Sequence, residues 1–123
     1  IGVGRGELLP YASYYLTGFL NEKPLADLRT DLMTRGVKVS DGVKEPEDHI
    51  GTLCEIMAGI ITGEFACDSD VSSQKAFFDA HMAKWAALFF TDLEEAQSSV
   101  LYAPVGSLGR AFMAVEADAF AIQ

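Results

Sequence analysis

Three acids and one imidazole stand together at residues 45–49, in the order Glu-Pro-Glu-Asp-His. Pro46 suits the first turn of a helix, where Glu45, Glu47 and Asp48 would face the positive end of the helix dipole. The simplest interpretation is a well-capped helix start. A carboxylate beside the imidazole of His49, displayed below a loop at residues 36–44, could also accept hydrogen bonds from a guanidinium. On the residues alone, the cap and the binding site both stay open.

Other kinds of chemistry find no supporting pattern. The glycine run at residues 2–6 lacks the preceding strand that a dinucleotide-binding turn needs. His49 and His81 belong to no His-Glu-x-x-His or Glu-x-x-His pair, so we expect no metal site. Ser13 stands in no Gly-x-Ser-x-Gly turn, which argues against a hydrolytic triad. The sequence therefore predicts no catalytic residue, no metal and no cofactor, hence a binding protein and not an enzyme.

The charge and cysteine content narrow the class of partner. Eighteen acidic residues stand against nine lysines and arginines, a formal charge of −9. This sign disfavours nucleic acid and anionic membranes as partners and would accelerate the encounter with a basic peptide. Cys54 and Cys67 have no zinc-type spacing and indicate buried or incidental thiols of a reducing compartment, with a disulfide between them as the open alternative. No signal peptide or membrane-spanning run is recognisable, so we expect a soluble cytoplasmic protein.

Apolar residues recur at helical spacing almost throughout, and no segment alternates as a strand would. We therefore predict an all-α fold of five or six antiparallel helices, forming one domain over residues 1–123. The predicted helices are residues 7–20, a helix capped by Asn21 and ending at Arg35, one from Pro46 to Phe65, one from Asp70 to Phe89, one from Asp92 to about Tyr102, and one from Pro104 onward.

Glu45 to His49 resembles the E-P-x-D-H signature of the TorD/DmsD family of redox enzyme maturation chaperones. Three further segments resemble elements of the same family in the same order. These are Leu9 to Leu16, Phe77 to Trp85, and Leu101 to Gly109. The resemblance covers nearly the whole chain. The sequence of residues 4–10 and 45–59 most resembles the branch of the family associated with formate dehydrogenases.

This resemblance implies an all-helical cytoplasmic chaperone for a molybdenum-type redox enzyme, with formate dehydrogenase as the expected client. Such a chaperone binds the twin-arginine signal peptide of its client, the apo form of the client, or both, before export. The peptide-binding positions that it implies are Asp48, His49, Glu45, Pro46, Tyr11 and Tyr15.

The chain departs from the family pattern in ways that raise further expectations. It lacks the N-terminal helices of the family, so we interpret it as a partial domain, and we hypothesise a homodimer, in one form domain-swapped, that covers the exposed apolar face. Lys84 replaces the usual proline before Trp85, which predicts that the helix continues there. Two alternative functions stay open: a guanine-nucleotide-binding switch, and a purely structural helical interaction module.

Overall fold

The computed structural model describes residues 8–39, 45–65, 67–96 and 102–121, and within this part the chain forms six α-helices and no strand. The helices are α1 Ala12–Thr17, α2 Lys23–Arg35, α3 Ile50–Thr62, α4 Val71–His81, α5 Ala86–Glu95 and α6 Tyr102–Ala121. Neighbouring helices pack in pairs, α1 with α2, α3 with α4, and α5 with α6. The predicted all-α class and the helix number are confirmed. In the described ranges no helix is both long and apolar enough to cross a membrane.

Helix α2 follows directly from its local sequence. Leu25, Leu28 and Leu32 recur at helical spacing and all three are buried. Gly36 ends the helix in the left-handed conformation, with φ of 71°, and its amide donates to the carbonyls of Leu32 and Met33. Arg35 lies in the last turn, where the helix dipole favours a cation. The predicted end of this helix is confirmed.

The core lies between α3, α4 and α5. Trp85 is its largest buried side chain, and the indole Nε1 donates to the carbonyl of His81 at 2.8 Å. This bond satisfies the polar end of an otherwise apolar ring. The members of the core are apolar side chains from all six helices, from the segment after α2 and from the turn between α4 and α5: Ala12, Leu28, Leu32, Val37, Ile50, Leu53, Ile56, Met57, Ile60, Phe77, Phe78, Met82, Trp85, Ala86, Phe89, Met113 and Phe120.

Helix α6 lies closely against α5. A methyl group on Gly109 would come within 2.3 Å of Cδ1 and 2.6 Å of Cγ of Phe90, so the contact depends on glycine. Further along the helix, the ring of Phe120 packs on that of Phe78 at 5.4 Å between centroids.

The first three helices start at other residues than predicted, and α6 begins at Tyr102 instead of Pro104. The first helix begins at Ala12 instead of residue 7, because Tyr11 is extended and the carbonyl of Pro10 accepts from the amide of Ile50. Glu22, not Asn21, is the N-cap of α2, while Asn21 has a φ of 59°. Pro46 lies in a turn, and α3 begins at Ile50 with His49 as its N-cap.

The predicted helix from Asp70 to Phe89 is two helices. Its N-cap is confirmed, since Asp70 accepts a hydrogen bond from the amide of Ser73. At residues 82–85 the chain turns, and the expected continuation through Lys84 is wrong. The turn keeps its backbone hydrogen bonded, as the amides of Met82 and Ala83 both donate to Phe78. Because the bend buries Met82 and Trp85 together, tertiary packing outweighs the continuous helical pattern.

Asp92 does not cap a separate helix, because it lies inside α5. The glycine run at residues 2–6, the loop residues 40–44 and residues 97–101 of the predicted helix after Asp92 lie outside the described residues.

Candidate functional site

The segment 45–49 is paired with the chain that enters α1. The amide of Ala12 donates to the carbonyl of Asp48 at 3.1 Å, and the amide of Ile50 donates to the carbonyl of Pro10 at 2.8 Å. These bonds form an isolated antiparallel bridge between Tyr11 and His49. The beginnings of α1 at Ala12 and of α3 at Ile50, 38 positions apart in sequence, therefore meet at one place.

Asp48 lies beneath this bridge, with only 1% of its surface exposed. Its Oδ2 accepts a hydrogen bond of 2.8 Å from the backbone amide of Ser13, which is also buried. Tyr11, the N-cap of α1, makes no side-chain capping bond, so Asp48 satisfies an amide of the first turn from a distant position. A carboxylate is favoured there because a helix N-terminus carries partial positive charge.

The second carboxylate oxygen of Asp48, Oδ1, is buried without a hydrogen-bond partner among the described residues. A cavity of about 10 Å³ adjoins Asp48 and is walled by Leu28, Leu53 and His81, among others. This volume is about what one water molecule needs. It is too small for a guanidinium, so an arginine of a partner can reach Asp48 only if the segment 45–49 moves.

Tyr11, Glu45 and His49 form a cluster at the surface above Asp48. The hydroxyl of Tyr11 donates to Oε1 of Glu45 at 3.1 Å, and Nε2 of His49 lies 3.4 Å from Oε2 of the same carboxylate. The rings of Tyr11 and His49 meet edge to face at 5.1 Å. The side chain of Glu45 is 57% exposed, so this carboxylate is oriented and still accessible.

The hydrogen bonds of His49 assign its tautomer. Nδ1 accepts from the amide of Gly51 at 2.9 Å and is therefore unprotonated, which leaves the ring proton on Nε2 facing Glu45. Burial of Tyr11, and next its hydrogen bond to the Glu45 carboxylate, raises the pKa of the phenol, which stays a donor at neutral pH.

Pro46 and Tyr15 have other contacts. The carbonyl of Pro46 accepts from the amide of His49 at 3.2 Å and closes the turn before α3. Tyr15 packs on Trp85, and its hydroxyl donates to Oδ2 of Asp92 in α5 at 2.7 Å. Burial, and next this bond, raises the pKa of Tyr15 far above its ordinary value. Tyr15 thus joins α1 to α5.

Sequence reasoning missed Arg29 as a neighbour of this segment. Arg29 in α2 makes a two-pronged bond to the Glu47 carboxylate, Nε to Oε2 at 3.0 Å and Nη2 to Oε1 at 2.9 Å. The bond to Arg29 lowers the pKa of Glu47, against the opposing effect of burial. No local sequence pattern predicts a pair of residues 18 positions apart, so only the packing of α2 against the segment 45–49 identifies this one.

A second charged network joins α2 to α4. Oδ2 of Asp31 lies 2.6 Å from Nε2 of His81, and its Oδ1 accepts from Nε of Arg35 at 2.8 Å. Burial raises the pKa of Asp31, but the hydrogen bonds from His81 and Arg35 outweigh it and hold the pKa below its usual range.

No group of three or more His, Cys, Asp or Glu side chains within the described ranges could hold a metal ion. Cys54 and Cys67 are both free.

The described residues form an all-helical fold in which the segment 45–49, with its acids and histidine, joins the starts of two helices. The chain belongs to the nitrate reductase delta subunit family, whose model matches residues 1–91. It is 31% identical over 116 residues to the chaperone protein TorD of Vibrio cholerae El Tor Inaba N16961, covering 89% of this chain and 53% of that relative. The predicted membership of the TorD-type family is confirmed.

Two further relatives carry the same name. The chaperone protein TorD of Vibrio atlanticus LGP32 is 30% identical over 112 residues, covering 85% of this chain and 52% of the relative. That of Aliivibrio fischeri ES114 is 27% identical over 124 residues, covering 94% and 58%. The chain thus spans about half the length of the curated relatives that it matches. No solved structure matches it significantly.

Proposed function

We propose that this protein is a maturation chaperone for a redox enzyme and that it binds the twin-arginine signal peptide of its client. Family membership and the relatives named as chaperones support the chaperone role. The observation that carries the peptide site is the carboxylate of Glu45, oriented by Tyr11 and His49 yet more than half exposed.

Glu45 is suited to a guanidinium by its remaining acceptor capacity. An ionised carboxylate has about four lone-pair sites; the hydroxyl of Tyr11 engages one on Oε1, and Nε2 of His49 lies 3.4 Å from Oε2. An arginine can therefore fork onto the exposed side of the carboxylate, where a charge-assisted pair is stronger than a neutral hydrogen bond. The ring of Tyr11 offers a flat surface for stacking. The charge of −9 favours the approach of a basic peptide.

Asp48 and His49 support this surface in different ways. Asp48 holds the start of α1 and thereby positions Tyr11, while His49 orients the Glu45 carboxylate. Pro46 closes the turn that carries them, and Tyr15 holds the far side of α1 against α5. As direct peptide contacts, Asp48, Pro46 and Tyr15 stay predictions.

The remaining parts of the proposal concern the client and the setting. The client is a molybdenum-type redox enzyme, in the first instance a formate dehydrogenase, bound in the cytoplasm before export and also in its apo form. The chaperone itself uses no cofactor and performs no catalysis. A homodimer, domain-swapped or otherwise, stays a prediction that the solution mass from light scattering tests. Guanine-nucleotide binding likewise stays a prediction, tested by thermal stabilisation with GTP but not with ATP.

Calorimetric titration of a formate dehydrogenase twin-arginine peptide, beside a twin-lysine version, tests the proposal. We expect arginine-selective binding near micromolar, about −8 kcal/mol. Glu45→Gln removes the charge but keeps the shape, and a charge-assisted hydrogen bond of about 1.5–3 kcal/mol predicts at least a tenfold weaker complex. Glu64→Gln is the matched control, since Glu64 is exposed just past the other end of the 13-residue α3, about 20 Å away.

Equal binding of the two peptides, or equal losses in the Glu45 and Glu64 variants, would refute the arginine site. A purely structural helical module is the second candidate, because the buried Asp48 acts as a cap. The absence of heat with either peptide, combined with loss of stability on removing the Asp48 side chain, would favour that candidate.

A further inference from the structure

The bond between Arg29 and Glu47 has the form that an arginine ligand would adopt at a receptor carboxylate. Two parallel N–H donors of Arg29 meet the two oxygens of Glu47 at 2.9 and 3.0 Å. This fork is the preferred geometry of guanidinium recognition. Glu47 stands between Glu45 and Asp48, within the segment to which the proposed function assigns the peptide.

The two partners differ in how firmly the fold holds them. The side chain of Glu47 is 23% exposed, whereas that of Arg29 is 56% exposed. Both line a cavity of about 430 Å³, together with Leu32, Met33 and Val37 among others. Ligand cavities commonly span about 300–1,000 Å³, so a ligand side chain has room to approach the pair. The fold therefore holds the carboxylate of Glu47 in place, whereas the more exposed guanidinium of Arg29 can move away from it.

We propose that Glu47 is an arginine-receiving subsite that the chain's own Arg29 fills until a client arginine displaces it. This inference rests on the proposed function and adds a specificity residue and an intramolecular competitor to it. In the free protein Arg29 pairs with Glu47. Without this pair, a partly buried carboxylate would lack a hydrogen-bond partner, which costs free energy. On binding, one guanidinium replaces another, and Arg29 turns to the solvent that already surrounds more than half of its side chain.

This exchange also makes the subsite selective for arginine over lysine in the peptide. Arg29 holds the two oxygens of Glu47 in the orientation that a fork requires, and only another guanidinium can reproduce both bonds at once. A lysine ammonium is a point charge on a flexible stem and would leave part of the fork unmade. A twin-lysine peptide therefore competes poorly with Arg29.

Arg29→Ala tests the inference in the titration with the twin-arginine peptide. Removing the competitor should tighten binding by about two- to fivefold, the value of a solvent-accessible ion pair of up to about 1 kcal/mol. Lys23→Ala is the matched control: Lys23 lies in the same helix, is paired with Asp27 at 2.8 Å, and loses the same positive charge. Arg29→Lys keeps the charge without the fork and should give a smaller gain. In a Glu47→Gln background, Arg29→Ala should give none.

Circular dichroism of each variant verifies that the helices persist. Binding by Arg29→Ala that is no tighter than that of Lys23→Ala, or a gain that persists with Glu47→Gln, would overturn the inference while leaving the proposed function intact. Failure of the proposed function has a separate signature, because the wild-type chain would then bind the twin-arginine and twin-lysine peptides equally. If Arg29→Ala loses its helices, Arg29→Lys decides by comparison with the wild-type chain, because it keeps the charge; binding no tighter than wild type would overturn the inference.

Discussion

Replacing Asp48 by alanine tests whether this buried acid holds the start of α1. The side chain provides the acceptor for the amide of Ser13 at 2.8 Å, and both residues are buried. Alanine would leave that amide without this acceptor, and water has little access to the position. Helix α1 has only six residues and no side-chain cap of its own, so its position depends strongly on this bond.

The size of the effect follows from two destabilising contributions and one that offsets them. An unsatisfied buried donor costs about 1–3 kcal/mol, and loss of the charge at the helix N-terminus adds up to about 1 kcal/mol. The change also removes Oδ1, a buried oxygen without a partner among the described residues, which returns part of the cost. We expect the free energy of unfolding to fall by about 2 kcal/mol for Asp48→Ala. Asp48→Asn keeps an acceptor for Ser13 and should lose about 1 kcal/mol or less.

Urea unfolding followed by circular dichroism measures this difference. Asp79→Ala is the matched control, because Asp79 is exposed and pairs across one helical turn with Lys75, a contact of about 0.5 kcal/mol at most. Equal midpoints for the Asp48 and Asp79 alanine variants would refute the capping role. Peptide titration of Asp48→Asn then separates positioning from contact. Near-wild-type affinity is expected if Asp48 only positions α1, and about a tenfold loss if it meets an arginine directly.

Two further predictions concern the packing of the helices. Gly109→Ala should lower the free energy of unfolding by about 1–3 kcal/mol, because the new methyl group meets the ring of Phe90. Helix propensity alone would raise it by about 1 kcal/mol. A gain in stability in urea unfolding would therefore contradict the α5–α6 contact. Asp31→Asn should destabilise the protein at neutral pH. Because the folded pKa of Asp31 is lowered, its contribution is present above the unfolded pKa of about 3.9 and is lost as the pH falls through the folded pKa. The difference from wild type should therefore shrink in acid, and a constant difference from pH 7 to pH 3 would contradict it.

Most of the helices could be predicted because their signals are local. In α2 the leucine spacing, Arg35 and Gly36 lie within one stretch of chain, and each acts on its immediate neighbours. The Asp70 cap of α4 is equally local, since it bonds the amide three positions later. Such signals do not depend on what the helix later packs against, so they survive into the folded protein.

The helix boundaries that were predicted wrongly depend on distant contacts. Tyr11 is extended because its neighbours bond the chain around Asp48, and the turn at residues 82–85 forms because both Met82 and Trp85 enter one core. In both places the contacts are made with residues distant in sequence, such as Pro10 with Ile50 and Trp85 with Tyr15. Periodicity alone continues the helix in both places.

The candidate site divides in the same way. The sequence by itself determined that acids and an imidazole cluster at residues 45–49 and that the fold around them is helical. Only the tertiary structure decided that Asp48 turns inward to Ser13, that Glu45 faces outward between Tyr11 and His49, and that Glu47 meets Arg29. The physical reason is that adjacent carboxylates have the same chemistry in the chain. Burial and partners 18 to 35 positions away are what give each of them a different role.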